Sequence, residues 1–497
     1  MGLLLLFTPT GIYDPSKSIT WSIQIDWDLD TVYTEEASYA VGPLTWEGGR
    51  AGVFDEVEAT RLTVVLDNET RRFDPWYVSS PLYPNVLPHR PIIVQATYDN
   101  NTYALFKGKI EDIRPEGGLG RRRVTITAYD GLRDMASHTA SVVLQKAVTT
   151  DVPIGLILDD AGWGAGATWR ALDTGSDTLA YWWCDESALA AIQGLVNSEG
   201  GVFFISHDGK ATFYSRSTMI LGTSVADIDE DIITDIVLNQ PWDLIRNTIK
   251  VTAYPVTLAA SGNIWQLEDQ AVAIAAGESK TIWASFHDAN NVDCPADTVI
   301  NPVATTDYTA NTVQGGGGAD MTAWMTVTPT IFSKAAKLVV ANTHATTTFY
   351  ITLLKIRGQA ISQTAFEVKR ENTTSQTAYG KRALDMDVPW QQSESVAADL
   401  ADSKLGFYKD PQKGAIITIE RRMVELLGVD IFDRVDFTCP IYSISESMRL
   451  GKMMLQTSAG MQDLRGELSL EAVDNSTYWL LGVVGNSEVG VTTRLGY

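Results

Sequence analysis

Cysteine is almost missing from this chain. Its 497 residues hold three, Cys184, Cys294 and Cys439, far apart and with no CxxC pair. That excludes a disulfide framework and a thiolate zinc site, and it fits a reducing compartment. Histidine is as sparse: His89, His138, His207, His287 and His344 stand singly, with no HExxH and no HxH, so nothing in their spacing suggests a metal centre or a triad. Positive charge is short too. Lys and Arg total 38 against 61 Asp and Glu, a formal net charge of −23, which excludes a protein that clamps phosphate backbones. No apolar stretch approaches the roughly 18 residues of a membrane span. The opening run Leu3 to Phe7 is too short, and lacks the preceding basic residue, for a secretory signal.

What is present is β-forming sequence. Ile19–Trp27, Arg61–Leu66, Pro91–Tyr98, Tyr103–Ile113 and Arg123–Tyr129 are rich in β-branched and aromatic residues, several alternating polar with apolar. Turn residues separate them, including Asp67-Asn68, Asp99-Asn100-Asn101 and Asp130-Gly131. A Pro-rich loop, FDPWYVSSPLYPNVLPHRP, divides the second strand from the third; its prolines preset φ and let it be ordered without pairing. From about residue 150 the period becomes helical. Asp151 begins one short helix with Ile154, Ile157 and Leu158, and Glu186 to Asn197 suits a second, ahead of a hairpin VFFIS, His207-Asp208-Gly209-Lys210, ATFYS. Residues 255–365 are Thr-, Ala- and Asn-rich and read as an inserted β-sandwich. A helical stretch follows over Ser375 to Asp402, then strands AIITIERR, DRVDFTC and the pair PIYSISESMRL and GKMMLQTSAGM.

The expected architecture is mainly β with smaller α+β parts, in several domains: a barrel over 1–140, an α+β domain over 141–254, the inserted sandwich over 255–365, a second barrel with a preceding helix over 366–480, and a tail over 481–497.

The candidate chemical groups are weak. Asp159-Asp160, the cluster Asp227, Asp229, Glu230, Asp231 and Asp235, and the pair Asp385/Asp387 could offer paired carboxylates, but among 61 acids close pairs are inevitable, and the cluster lacks the glycine of a calcium loop. Tyr181, Trp182 and Trp183, with Trp163 and Trp169, could stack on sugars, although aromatics in strands are more often core. Gly315 to Gly318 lacks the Lys of a phosphate loop, and Arg121-Arg122-Arg123 opens a strand as a charged edge. No catalytic constellation, cofactor site or metal site is expected.

The order LTVVLDN, RRFDPWYVSSPLYPNVLPHRPI, YALFKGKIEDIRP and RRRVTITAYDGL, followed by ILDDAGW, SEGGVFF…DGKATFYSR, LLKIRGQAI and YGKRALDMDVPW, resembles the phage tail hub family, the central tail-tip or baseplate-hub proteins of long-tailed phages. The signature loop carries Arg72, Phe73, Asp74, Pro75, Pro84 and Pro88. The resemblance implies a homotrimer in which each chain supplies two barrels, a pseudo-sixfold ring that closes the tail tube at the virion tail tip and passes DNA without binding it. It implies assembly in the host cytoplasm, with the tail tube, distal tail proteins and tape-measure protein as partners. Since the chain stops at Tyr497, host recognition and lysis are expected to lie in other tail proteins. Hubs of contractile injection particles share the resemblance, and 14 Trp with abundant acids keep a glycan-binding or glycan-cleaving tail protein as the rival reading.

Overall fold

The computed structural model describes residues 14, 16–118, 121–239, 242–269, 271–458, 460, 461, 463–473, 477–479 and 493–495. The apolar run at residues 3–7 and nearly all of the 481–497 tail lie outside them. The architecture is mainly β and multidomain.

The chain opens with β1 (Thr20–Ile25), β2 (Thr45–Gly49), β3 (Glu58–Asp67), β4 (Pro91–Tyr98), β5 (Asn101–Glu116) and β6 (Arg123–Tyr129). They are bonded side by side in the order β1-β4-β5-β6-β3-β2. Alternation puts Ile92, Val94 and Ala96 of β4, and Leu62, Val64 and Leu66 of β3, wholly out of solvent. Each of these Ile, Val and Leu side chains contributes about 1.5–3 kcal/mol. The set closes on itself. Residues 34–35 pair with β1, Ala40 bridges Leu66, and the Val41 and Gly42 amides donate to the Val65 carbonyl at 3.1 and 3.2 Å.

An α+β unit follows: α1 (Gly131–Ser137), β7 (Thr139–Thr149), α2 (Asp151–Asp160), β8 (Thr178–Ser187), α3 (Ala188–Glu199), β9 (Val202–Ile205), β10 (Ala211–Tyr214) and α4 (Arg216–Leu221). Asp130 caps α1 by accepting from the Leu132 amide at 3.0 Å, and Gly200 ends α3 at φ 82°. Next come β11 (Ala226–Asp229), β12 (Asp235–Asn239) and β13 (Thr248–Ala253).

Residues 255–365 hold two layers of strands. One layer is a sheet of β14 (Ser279–Ser285), β15 (Met325–Ile331) and β16 (Ala335–Asn342); the other is built on the long strand β17 (Phe349–Gln363), with a separate core between them. The chain then runs through β18 (Phe366–Glu371), α5 (Thr373–Tyr379), β19 (Ala383–Val388), α6 (Glu394–Tyr408), β20 (Gly414–Ile419), β21 (Arg434–Cys439), β22 (Ile444–Thr457) and β23 (Leu464–Ala472).

Three sequence expectations change here. The helical stretch over Ser375 to Asp402 is two helices split by β19, whose ALDMDV alternates with period two and pairs in parallel with β13. With β18 and α6 these strands form a small unit with its own core, so residues 366–408 do not belong to a barrel. Residues 226–239, placed with the α+β segment, bond into strands near the C-terminus: β11 runs beside β21, and β12 beside β20. The expected pair PIYSISESMRL and GKMMLQTSAGM is one strand, β22, bulged at Leu450/Lys452. Gly451 does not turn the chain; a Cβ there would run into the Glu471 carboxylate.

The second strand set has the order β11-β21-β22-β23-β20-β12. Numbered by rank within each set, both read first-fourth-fifth-sixth-third-second. In each set the fifth strand is the longest and is bulged against the sixth, at Ile110/Asp112 and at Leu450/Lys452. They differ in one direction: β1 is antiparallel to its neighbour, β11 parallel. The second set also curls back, because its outermost strands β11 and β12 are joined by only residues 230–234.

The sets meet where β2 pairs with the distal half of β22, Thr45↔Gln456 through Gly49↔Lys452. The Arg50 amide donates to the Gly451 carbonyl at 3.0 Å, and Leu44 and Thr457 are bonded through the Leu44 amide to Thr457 Oγ1 and the Thr457 amide to the Leu44 carbonyl, both 2.9 Å. Arg50 also pairs with Glu471. One apolar core runs through both sets.

Candidate functional site

The signature loop occupies residues 68–90, between β3 and β4. Asn68 Oδ1 accepts from the Phe73 amide at 2.9 Å, which turns the chain inward. Phe73 is fully buried, 6.0 Å from the Trp27 ring and edge-on to Tyr39 at 5.4 Å. Arg72 reaches Glu36 with Nη2 at 2.7 Å and Nε at 3.1 Å, and Glu36, wholly buried, also accepts from Trp27 Nε1 at 3.0 Å. Asp74 holds the next turn: Oδ2 takes Arg71 Nη2 at 2.7 Å and Oδ1 takes the Trp76 amide at 3.0 Å. Ser80 Oγ donates to the Arg72 carbonyl, closing the loop's neck. Pro75 is half-buried; Pro84, after a cis bond, and Pro88 are exposed.

This framework presents Trp76, Val78, Tyr83 and Leu87 to solvent, Trp76 at 77% exposure. Overlapping turns join the backbone, Tyr77 to Asp74, Ser80 to Tyr77, Tyr83 to Ser80 and Asn85 to Leu82. Arg72, Phe73 and Asp74 make these bonds and contacts, while Trp76, Val78, Tyr83 and Leu87 leave apolar surface exposed. Sequence reading did not single out the four outward residues, whose sequence signal is apolar character inside a Pro-rich loop.

A buried polar node lies where the α+β unit meets both strand sets. The His207 amide donates to Asp430 Oδ2 at 2.8 Å, the Asp430 amide to Asp433 Oδ2 at 2.8 Å, and Tyr214 Oη to Asp433 Oδ1 at 3.1 Å. Trp46 of β2 stands edge-on to the His207 ring at 4.5 Å. Burial pushes Asp430 up to about 7 and Asp433 up to about 6, and pushes His207 down to about 4. The imidazole Nε2 lies 3.3 Å from Asp430 Oδ1 without hydrogen-bond geometry, as a neutral ring would. Arg449, held down to about 10 by burial, spends its guanidinium on the Phe432 and Met219 carbonyls. Nothing here aligns a nucleophile with a base toward open space; the node ties three parts of the fold together.

The remaining sequence candidates are dispersed. Asp159 pairs with Arg170 and Asp160 with His138. Asp227 and Asp229 point outward from β11, and Asp231 pairs with Arg422. Asp385 and Asp387 edge a cleft of about 390 Å³ with Arg50, Asp55, Lys404 and Glu471. Trp182 and Trp183 are buried against Trp390, at 6.1 and 5.1 Å, so they are core. Trp163 and Trp169 are bonded to each other, with the Lys107 ammonium 4.5 Å over the Trp169 ring. Gly315 to Gly317 take positive φ at a loop tip, and Arg121 to Arg123 are exposed at the start of β6. Among the described residues, one carboxylate group lies close enough to share a cation, Asp26, Asp28 and Asp30. Asp26 accepts the Asp30 and Thr31 amides at 3.3 and 3.1 Å, which is the bonding of a turn.

The aromatic platform that sequence reading missed is on the insertion. Trp283, 60% exposed, lies 5.7 Å from Phe332, and Lys337 is its direct cross-strand neighbour. In SKTIWAS the Trp shares parity with Ser and Thr, the outward face.

No family model and no curated protein matches the chain. Among solved structures it is similar to the 43 kDa tail protein of prophage MuSo2 from Shewanella oneidensis, at 8% identity and TM-score 0.49, over 91% of this chain and 98% of that one. It is similar to a tail protein from Neisseria meningitidis MC58, at 10% identity and TM-score 0.49, over 92% and 97%. A prophage tail protein from Listeria monocytogenes EGD-e gives 9% identity and TM-score 0.44, over 92% and 95%.

Proposed function

We propose that the chain is a structural hub of a viral tail tip, three copies of which form a ring that closes the tail tube and surrounds the channel for DNA. The observation that carries this reading is the repeated strand order: one polypeptide holds two strand sets that share a six-strand connectivity, the first with an added two-residue strand at Thr34–Glu35, and the sets are joined by direct strand pairing. Three such chains supply six like units, which can match a sixfold tube. The sequence resemblance points the same way. Tripling a charge of −23 makes a ring that repels a duplex at close range, so DNA passes without sticking. The exposed row Trp76, Val78, Tyr83 and Leu87 suits a contact with tube or distal tail proteins. No catalytic step is assigned to it.

Native mass spectrometry should give three times the 54.3 kDa of one chain, and electron micrographs should show a threefold ring with a central hole. A monomer at all concentrations, or tight duplex binding at moderate salt, would sink the proposal.

A second reading concerns the insertion alone. The exposed Trp283–Phe332 pair, on a sheet whose three strands contain no Asp or Glu, suits stacking against a sugar ring. Trp283→Ala should then abolish retardation of the protein in affinity electrophoresis through host-envelope polysaccharide, without lowering its melting temperature; equal retardation of parent and variant removes this reading.

A further inference from the structure

The pairing that joins the two sets exists once within the chain, yet the repeat contains it twice. In the second set, β21 covers the first half of β22, up to Arg449, and β2 of the first set covers the distal half, Lys452 to Gln456. Superposing the two bulges makes Asp112 to Glu116 of β5 the counterpart of Lys452 to Gln456. There the pairing of β4 ends at Pro91↔Lys109, a last exchange joins Ile110 to His89 and Arg90, and among the described residues no strand follows on that side. The counterpart of β2 is β12, which among the described residues pairs with β20 on one side only.

The exposures match a missing contact on both surfaces. Met453 and Leu455 are buried at 1% and 2%, while their counterparts Ile113 and Pro115 are half-buried. Trp46 of β2 is 1% exposed; its counterpart in β12, Leu238, is 37% exposed, and Val237 beside it 57%. What is covered in one copy of the junction is open in the other. An apolar strand with a free edge is a liability for a soluble chain unless something pairs with it.

We infer that β12 of one protomer pairs antiparallel with the distal half of β5 of a second copy of this chain. The contact is head-to-tail, so it must close into a ring or run on as a filament. If it repeats the β2·β22 geometry, each protomer advances by two like steps, and three protomers complete six. Carrying over the register of β2 on β22 sets Val237 opposite Glu116, Leu238 opposite Pro115 and Asn239 opposite Arg114. Pro115 supplies no N–H, so this edge is one donor short for an indiscriminate partner.

This rests on the hub reading but is tested apart from it. Directly opposed residues on antiparallel strands have Cα atoms about 4.5–5.5 Å apart, within reach of a disulfide. The three native thiols are buried, so engineered surface cysteines oxidise selectively. The full chain carrying Val237→Cys and Glu116→Cys should, on mild oxidation, run as covalent dimers and trimers on denaturing gels and return to monomers with reductant; neither single variant should. Leu238→Asp should shift the light-scattering mass from trimer to monomer while the melting profile keeps its parent transitions. A trimer that gives no cross-link, or that survives Leu238→Asp, overturns the strand pairing and leaves the hub reading standing. A parent chain that is monomeric throughout overturns both.

Discussion

Replacing Arg72 with alanine is expected to cost about 3–5 kcal/mol, because it strands a carboxylate rather than merely deleting a contact. Glu36 is wholly buried, and two of its three side-chain hydrogen bonds come from Arg72. Without the guanidinium, the buried carboxylate keeps only the Trp27 indole and loses its counter-ion. The same substitution uncovers the Tyr39 and Phe73 rings, over which the guanidinium lies at 5.3 and 5.7 Å. Phe73→Ala should cost a similar amount through the cavity it leaves between Trp27 and Tyr39. Removing both charges together, with Glu36→Gln and Arg72→Met, should recover much of the loss, because no buried charge is left unpaired. Calorimetry measures the stability, and limited proteolysis between residues 76 and 83 reports whether the loop has come loose. An Arg72→Ala protein that melts with its parent and resists protease there would show that Glu36 is satisfied in some other way.

The second large effect is a gain of stability on mild acidification. Asp430 and Asp130 are pushed up to about 7 and Asp433 to about 6, all by burial. Their folded values lie above the ordinary carboxylate range, so the folded state holds protons that the unfolded chain gives up. Their contribution is complete below about pH 4 and is lost as pH rises through 6 to 7. His207 opposes them. Its folded value of about 4 lies below the ordinary value of 6.5, so its contribution falls away between pH 6.5 and 4. Three raised carboxyls outweigh one depressed imidazole, and unfolding midpoints in urea should rise from pH 8 to pH 5. Asp433→Asn keeps an acceptor for the Asp430 amide and can donate to Tyr214. It should flatten that rise by about 1.4 kcal/mol, because between pH 8 and pH 5 a group titrating at about 6 gains only the last unit, at 1.36 kcal/mol. A midpoint that falls steadily from pH 8 to pH 5 would refute the assignment.

How much of this was readable beforehand follows from the range of the interactions. Period-two alternation located β1, β3, β4, β5 and β6, and apolar spacing located α2 and α3, because those signals sit within about ten residues. The signature loop was legible because its prolines and Asn68–Asp74 turn bonds are local. Strand partnership was not. Nothing near Ala226 or Asp235 says that they bond to residues 414–438, and Gly451 looks like a turn until its neighbour Glu471 is known. The identical connectivity of the two sets leaves no repeat in sequence, since it is carried by order and bulge position rather than by side-chain identity. The platform at Trp283 is not legible in sequence, because its partner Phe332 lies some fifty residues away and meets it only through the pairing of β14 with β16.

The junction of β2 with β22 has a consequence for biosynthesis. Its two halves are separated by roughly 400 residues of chain, which at about 5–20 residues per second take a ribosome some 20–80 s to make. During that interval β2 has emerged with no mate on one flank, and β12 waits in the same way for β20. The nascent polypeptide is therefore open to misassociation with sibling chains through that interval, until β22 arrives to occupy the vacant side.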